Sequence, residues 1–429
     1  MSSRKLNQKP KSNDGIVGRI GYLLTNDFCP QWNLSVAWLR NPIAVLFLAA
    51  LVATLVGVFL HRNGFVLMAG ILVVLAVGIV WPWVSIFGLR GQLRFGQLRI
   101  SEGESVPVEL RVKNRLPMAC WGVTVNGVVS GDNVPSLALD TVSGWRTTWV
   151  GWEEENTQRG VYPRNGIRLQ TGFPFGLRQV SRRMDAEAEL VIWPKTFPVG
   201  PVPDLGGEET CEGATARNRV GSMGDVLGLR PYRRGDVPRR IHWAQSARHD
   251  RLIVCELQAQ ARPLMQIVLD VDEQFHVGEG KDSSREWAIR IAASYCRGWL
   301  GQGLPVSLAF AEEQYPADGG GRQMRRLLDG LARIGETTTS LAELLQSPFV
   351  DSFQNGVQVV ITTDQSLKEL PAEFLHNRQR RFVVLHCHGF TDDGINATEP
   401  LPIMPWLEIY DPETVGERLL RLNREVNRA

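Results

Sequence analysis

Residues 42–60 run for nineteen positions without a charged side chain and residues 65–89 for twenty-five, and only His61-Arg62-Asn63-Gly64 separates them. A hydrocarbon core about 30 Å thick takes roughly twenty apolar residues to cross as a helix, so each stretch is long enough to span. Asn63-Gly64 is a turn dipeptide, and about forty residues precede the first stretch without an Ala-x-Ala exit. The pair therefore reads as a transmembrane helical hairpin rather than a cleaved signal peptide. Arg40 lies before the first span and Arg90, Arg94 and Arg99 follow the second, whereas the turn carries one arginine. Cations concentrate on cytoplasmic flanks, which predicts both termini in the cytoplasm and Trp38, Trp81 and Trp83 at that interface. Ala49, Ala53 and Gly57 recur at spacing four. Such a small-residue stripe lets the two helices, or two copies of the chain in a homo-oligomer, approach closely; lipid-facing filler is the alternative.

The charge balance is close to neutral, with 47 Lys and Arg against 45 Asp and Glu. Six cysteines (29, 120, 211, 255, 296 and 387) show no C-x-x-C and no zinc spacing, which fits reduced cytoplasmic thiols. Residues 1–41 read as a basic cytoplasmic tail without sustained period. Residues 42–89 form the hairpin. Residues 92–198 carry short alternating strands, as at Val106, Val108, Leu110 and Val112 and over residues 121–129, 146–152, 167–171 and 190–193, with Gly, Pro and Asn between them. That pattern predicts a β-sandwich. Residues 199–261 are a linker with an arginine-rich segment, and residues 262–429 alternate strands with helices.

In the arginine-rich segment, Gly235-Asp236 is a turn signal, Asp236 suits a cap and Pro238 a first helical turn, which predicts a helix over residues 238–247. On it Arg240, Trp243 and Ala247 share a face, and Asp236 precedes Arg240 by four in the order that favours an ion pair. Seven arginines (230, 233, 234, 239, 240, 248 and 251) meet only Asp236 and Asp250. Two readings stay open. One is an anion or partner site, because guanidinium forks hold phosphate or carboxylate bidentately. The other, simpler one is an interdomain clasp with Trp243 buried and the arginines paired to distant acids. His242 and His249 have no matched Cys or carboxylate spacing and carry no catalytic expectation.

Arg230, Tyr232, Gly235, Asp236, Arg240, Ile241, Trp243, Ala247 and Arg248 resemble the signature of the domain of unknown function 58 family, membrane-tethered bacterial proteins often encoded beside MoxR-type AAA+ ATPases. Arg159-Gly160-Val161-Tyr162 and Phe173-Pro174-Phe175-Gly176-Leu177 look like further landmarks, although the family usually has Asp where Phe173 stands. The resemblance implies a multi-pass protein of the bacterial inner membrane and a MoxR-type ATPase as partner. Its interaction positions would be Arg230, Tyr232, Gly235, Asp236, Arg240, His242, Trp243 and Arg248.

After residue 262, apolar runs at 264–269, 306–310, 357–363 and 382–386 alternate with helical patterns at 284–300, 323–334 and 412–426, which predicts a parallel sheet with helices on both faces. The order resembles a von Willebrand factor A-like, Rossmann-like domain. The resemblance raises a metal question, since such domains place Asp-x-Ser-x-Ser after the first strand and a further Asp after a later one. Here Asp270 holds the first position, Asp272 and Gln274 replace the serines, and Asp364 sits where the later Asp would. Two replacements predict a degenerate site that leaves Mg²⁺ unbound, so no cofactor is expected. Phosphate-loop, nucleophile-elbow and H-E-x-x-H patterns are absent. Gly319-Gly320-Gly321 reads as a loop before a helix. His386-Cys387-His388 would place both histidines on one face if the strand continued through them.

A membrane-anchored, non-enzymatic adaptor or scaffold is the leading reading, binding a protein partner in the assembly or maturation of an envelope or metal-dependent complex. A cation-dependent hydrolase using Asp270, Asp272 and Asp364 is one alternative. Anion or nucleic-acid binding by the arginine block is another, although no nucleic-acid fold is recognisable and no nucleic acid is expected as partner.

Overall fold

The computed structural model describes residues 41–129, 135–155, 158–200, 220–258, 263–335, 337–353, 356–377, 379–390 and 400–426. The expected basic tail up to residue 40, with Cys29, Trp38 and Arg40, and most of the linker, with Cys211, lie outside the described residues. The chain divides into two compact units. The described residues within 1–93, 110–150 and 165–185 form the first, and those within 94–109, 151–164 and 186–429 the second.

The first unit opens with α1 (Pro42–Phe59) and α2 (Asn63–Gly88), both of mean hydropathy 2.6 and both long and apolar enough to cross a membrane. Pro42 stands in the first turn of α1, where a missing N–H leaves no bond unmade. Apolar side chains lie all round each helix, and Leu51, Val58, Phe59, Val66 and Phe87 are exposed. A helix of that kind belongs in a protein core or a bilayer. The two meet through small residues. Ala53 is buried, and a Cβ on Gly64 would collide with the backbone of Gly57 and Ala53. The expected stripe thus joins the two helices of one chain at Ala53 and Gly57.

Ten strands follow: β1 (Leu89–Phe95), β2 (Arg99–Ser101), β3 (Ser105–Asn114), β4 (Cys120–Asn126), β5 (Pro135–Val142), β6 (Thr147–Glu155), β7 (Gly160–Tyr162), β8 (Ile167–Thr171), β9 (Val180–Ala186) and β10 (Leu190–Trp193). They form a seven-stranded sheet, β5-β4-β8-β9-β1-β3-β6, and, within the second unit, a three-stranded sheet, β2-β10-β7. Strict alternation makes β3 a half-buried strand, with Val106, Val108, Leu110 and Val112 inward. α2 stops at Gly88 because the next residues alternate with period two: Leu89, Leu93 and Phe95 are buried while Arg90 and Gln92 are exposed.

In the second unit a two-stranded ribbon, β11 (Val220–Pro231) with β12 (Ile253–Gln258), brackets α3 (Trp243–His249). The α/β region continues with β13 (Leu264–Leu269), α4 (Ser284–Gly301), β14 (Val306–Phe310), β15 (Glu313–Asp318), α5 (Gly320–Arg333), α6 (Leu341–Gln346), α7 (Pro348–Asp351), β16 (Gly356–Thr363), α8 (Asp364–Glu369), α9 (Ala372–Leu375), β17 (Arg380–Leu385), β18 (Leu407–Ile409) and α10 (Val415–Val426). The sheet runs β15-β14-β13-β16-β17-β18, parallel except for the edge strand β15. Met265, Ile267 and Leu269 turn to one face, against Ile291, Tyr295, Trp299 and Leu327 of α4 and α5. Val268, Val360 and Val384 turn to the other, against Leu344, Val350 and Leu367. Burial on both faces is why these strands read as unbroken apolar runs. Ser340 and Glu343 form the capping box that starts α6. Gly320 opens α5, so the glycine run enters the helix instead of ending before it.

Candidate functional site

The arginine block folds differently from the expectation of one helix over residues 238–247. Pro238–Arg240 is a single 3-10 turn, Ile241 then bridges Val254, and the His242 N–H donates to the Ile253 carbonyl at 2.8 Å. That strand-like step interrupts the helix, and α3 begins afresh at Trp243. His242 caps α3, its Nδ1 accepting the Gln245 N–H at 3.3 Å. Ser246 ties α3 to the ribbon by accepting the Ile253 N–H at 2.9 Å. Gly235 has φ 110°, a conformation that calls for glycine in the turn.

Asp236 is not a helix cap. Its carboxylate takes both terminal nitrogens of Arg230, at 2.6 and 2.8 Å, and the Arg233 N–H at 2.7 Å. Those bonds hold the Asp236 carboxyl down at about 2. Arg230 Nε also donates to Glu256 of β12 at 2.7 Å. The expected burial of Trp243 is overturned, because its residue is 66% exposed. Val237, Leu229 and Leu252 are exposed in the same ribbon and turn, as are Arg233, Arg234, Arg239, Arg248 and Arg251, while Tyr232 and Arg240 are half-buried. The block therefore presents a mixed cationic and apolar surface held in shape by Arg230.

A buried clasp does form, but from other arginines and inside the second unit. In the second unit Arg290 of α4 grips Glu102 through Nε at 2.9 Å and a terminal nitrogen at 3.3 Å, with side chains 8% and 5% exposed. Glu102 also accepts the backbone N–H groups of Arg159 and Lys195, both at 3.0 Å. Arg159 pairs bidentately with Glu286 at 2.7 and 2.9 Å, and donates to the Leu331, Ala332 and Ile334 carbonyls at the end of α5. A guanidinium there satisfies carbonyls that the helix itself cannot. Arg99 grips Asp329, which also accepts the Trp193 indole N–H at 2.8 Å. Burial opposes the Asp329 charge, but these donors outweigh it and hold the carboxyl below its usual range. Glu102, Glu286, Arg290 and Asp329 were invisible in the sequence reading. Arg159 enters through the landmark that contains it, and Arg99 as a cation flanking the second apolar stretch.

At the carboxyl edge of the parallel sheet, strand order reverses between β13 and β16, the position where such sheets form ligand crevices. Asp270 and Asp272 follow β13, and Asp364 follows β16. Asp270 is buried and accepts the Asp272 N–H at 3.2 Å and the Thr362 hydroxyl at 2.7 Å. Asp272 caps the next turn by accepting the Gln274 N–H at 3.2 Å, and Asp364 accepts the Cys387 N–H at 3.0 Å. Among the described residues, no group of three or more His, Cys, Asp and Glu is arranged to hold a metal ion.

His276 Nε2 lies 3.2 Å from the Asp270 carbonyl, which can only accept, so Nε2 carries the proton and Nδ1 receives the Ser284 hydroxyl at 3.0 Å. Burial pushes His276 below its usual value against the opposing pull of Asp270. Ser284 is fully buried and cannot meet a substrate. β17 stops at Leu385, and Cys387–Gly389 forms a 3-10 turn, so the strand does not carry the two histidines on one face. Their rings instead gather round Tyr410, His386 stacking on it at 4.3 Å, and His386 Nε2 lies 3.3 Å from Glu408. Burial, followed by the Asp364 charge, pushes the Cys387 thiol up, which leaves a poor nucleophile.

No curated protein matches the chain. Among solved structures it is similar to the CARDB domain of PF1109 from Pyrococcus furiosus, at 11% identity over 23% of this chain and 94% of that one, with a TM-score of 0.16. Spo0M, a sporulation control protein from Bacillus subtilis, is similar at 10% identity over 24% of this chain and 50% of that one, with a TM-score of 0.15. A GH20 exo-β-N-acetylglucosaminidase from Vibrio harveyi reaches 7% identity over 70% of this chain and 57% of that one, with a TM-score of 0.18. TM-scores this low carry no argument about fold or activity. Residues 228–428, from the ribbon to α10, match the family model described as "Protein of unknown function DUF58".

Proposed function

We propose that the chain is a membrane-anchored adaptor whose arginine block docks a protein partner. One observation carries the reading: Trp243, at the start of α3, is exposed, as are Arg233, Arg234 and Arg239 of the preceding turn, which the bonds of Arg230 to Asp236 and Glu256 brace. Tryptophan and arginine dominate the energetics of protein interfaces, and a pre-ordered turn loses little entropy on docking. The cations call for an acidic surface on the partner. The family resemblance supplies the candidate, a MoxR-type AAA+ ATPase, with a role in assembling envelope or metal-dependent complexes.

Two further features support this reading. The all-apolar helices α1 and α2 suit a transmembrane hairpin, and the cation excess after α2 favours the cytoplasmic side of a bacterial inner membrane for the residues that follow it. The order β15-β14-β13-β16-β17-β18 with one antiparallel edge strand suits a von Willebrand factor A-like domain, an architecture associated with protein contacts. The hydrolase reading gains no observation, since Asp270 and Asp364 hold internal donors.

The test titrates the purified full chain, in detergent, against a MoxR-type ATPase from the same bacterium. Trp243→Ala and the pair Arg233→Ala/Arg234→Ala should each lower affinity on the order of tenfold, about 1.4 kcal/mol, while leaving the melting temperature unchanged. Tight binding unaffected by either variant would move the docking surface elsewhere, and no binding by the wild type would remove the named partner.

A further inference from the structure

We propose that the foot of α2 is a lipid-binding collar, in which the loop over residues 173–177 enters the bilayer beside the helix and a neighbouring basic groove holds the phosphates of anionic phospholipids. The proposal rests on the reading of α1 and α2 as membrane spans.

The loop packs on α2. A Cβ added at Gly78 would meet Leu177 and Phe175, so glycine is what lets the loop lie against the helix there. Gly78 is ten residues before Gly88, or about 15 Å along the axis at about 1.5 Å per residue. The 26-residue helix is roughly 39 Å long by the same measure, so it exceeds a 30 Å hydrocarbon core by about 9 Å. Even with that whole excess at the Gly88 end, Gly78 lies about 6 Å inside the hydrocarbon, and the loop beside it shares that depth.

The loop's chemistry suits the depth. Phe173 and Phe175 are exposed apolar side chains. The backbone cost of insertion is reduced because Pro174 has no N–H, the Gly176 N–H donates to the Gly172 carbonyl at 2.8 Å, and the Phe173 N–H donates to the Thr171 hydroxyl at 3.3 Å. Trp121, its ring tilted against that of Phe173 at 5.3 Å, is exposed, as are Trp83, Phe87 and Trp145. Tryptophan concentrates at the boundary between hydrocarbon and head groups. Arg178 lies over the Trp83 ring at 5.9 Å and Arg182 over the Phe87 ring at 6.0 Å, which sets the first cations at that boundary.

The groove lies just beyond. Arg90 of β1, Arg111 and Lys113 of β3, and Arg182 and Arg183 of β9 line a cavity of about 420 Å³, with Asp185 as its one acid. None of these five cations forms an ion pair among the described residues. Juxtamembrane cations of this kind attract anionic head groups at about 1 kcal/mol each, or about fivefold in affinity.

The test uses the full chain in membranes and nanodiscs. Alkaline carbonate extraction first reports the spans: release of the chain would overturn the hairpin and this proposal together. With the chain retained, a bimane probe on Phe175→Cys should be quenched by lipids brominated on their acyl chains, and the same probe on Arg183→Cys should not, after subtracting the signal of the labelled parent chain. An unquenched probe at 175, or equal quenching at both positions, would overturn the collar while leaving the hairpin intact. In an equimolar mixture of phosphatidylglycerol and phosphatidylcholine, the chain should retain phosphatidylglycerol preferentially. Arg90→Gln, Lys113→Gln and Arg183→Gln should each lower that preference about fivefold with the melting temperature unchanged. Equal retention of the two lipids by the wild type would overturn the groove.

Discussion

Replacing Arg290 by leucine should loosen α4 by a predictable amount. Arg290 and Glu102 are 8% and 5% exposed and meet at 2.9 Å, so neither charge has much water to fall back on. With charge centres about 4 Å apart and an effective dielectric constant of about 20, their attraction is roughly 4 kcal/mol. Losing one partner of a buried pair commonly costs about 3 to 5 kcal/mol, because the other charge is stranded. Glu102 would keep the Arg159 and Lys195 N–H groups, which places the expected loss at the lower end of that range. Those same two bonds make the double variant informative. Removing both charges of an isolated pair is often nearly neutral, but Glu102→Leu with Arg290→Leu would also orphan two backbone N–H groups at about 1 to 3 kcal/mol each. Hydrogen exchange of peptides from α4 in the full chain reads the opening free energy directly. The single variant should fall by about 3 kcal/mol and the double by at least about 2 kcal/mol. A single variant within about 1 kcal/mol of wild type, or a double variant restored to it, would refute this account of the clasp.

Three further outcomes are expected. A cysteine replacing Asn63, in the exposed turn between α1 and α2, should react with an impermeant thiol reagent added outside intact cells, and one replacing Ser222 should not; the reverse pattern would invert the topology. Millimolar Mg²⁺ or Mn²⁺ should raise the melting temperature little, because the Asp270 oxygens already hold the Asp272 N–H and the Thr362 hydroxyl. A ligand at a hundred times its Kd would add roughly 2.7 kcal/mol, so a large rise abolished by Asp270→Ala would restore the metal reading. His276 is depressed in the fold below its usual value of 6.5. The unfolded chain therefore takes up the proton first as pH falls, so stability is full above about pH 6.5 and declines below it. His276→Gln should flatten that decline, and an unchanged pH profile would show that His276 does not titrate there.

Much of the α/β region was legible because strands buried on both faces must be apolar throughout, as residues 264–269 and 306–310 are. β15 was not, since its side chains lie on an exposed edge and carry little periodicity. The arginine block misled in a specific way. Arg240, Trp243 and Ala247 are spaced for one helical face, but Ile241 and His242 bond to β12, and a contact with a distant strand leaves no local trace. The exposure of Trp243 follows from that break. The pairing of Arg290 with Glu102 joins positions 188 residues apart, beyond the reach of any local pattern. Density of arginine along the chain marked the outward-facing block, whereas the buried clasp came from single arginines far apart.

The central claim is that Trp243 faces a protein partner. A photo-crosslinking amino acid placed at position 243 in intact cells tests it most directly, with the exposed Glu312 beside the sheet edge as a control position. The account predicts a crosslink from position 243 to the MoxR-type ATPase, lost when Arg233 and Arg234 are replaced by alanine and absent from position 312. Crosslinks from 243 confined to the chain itself, or equal capture from both positions, would contradict it.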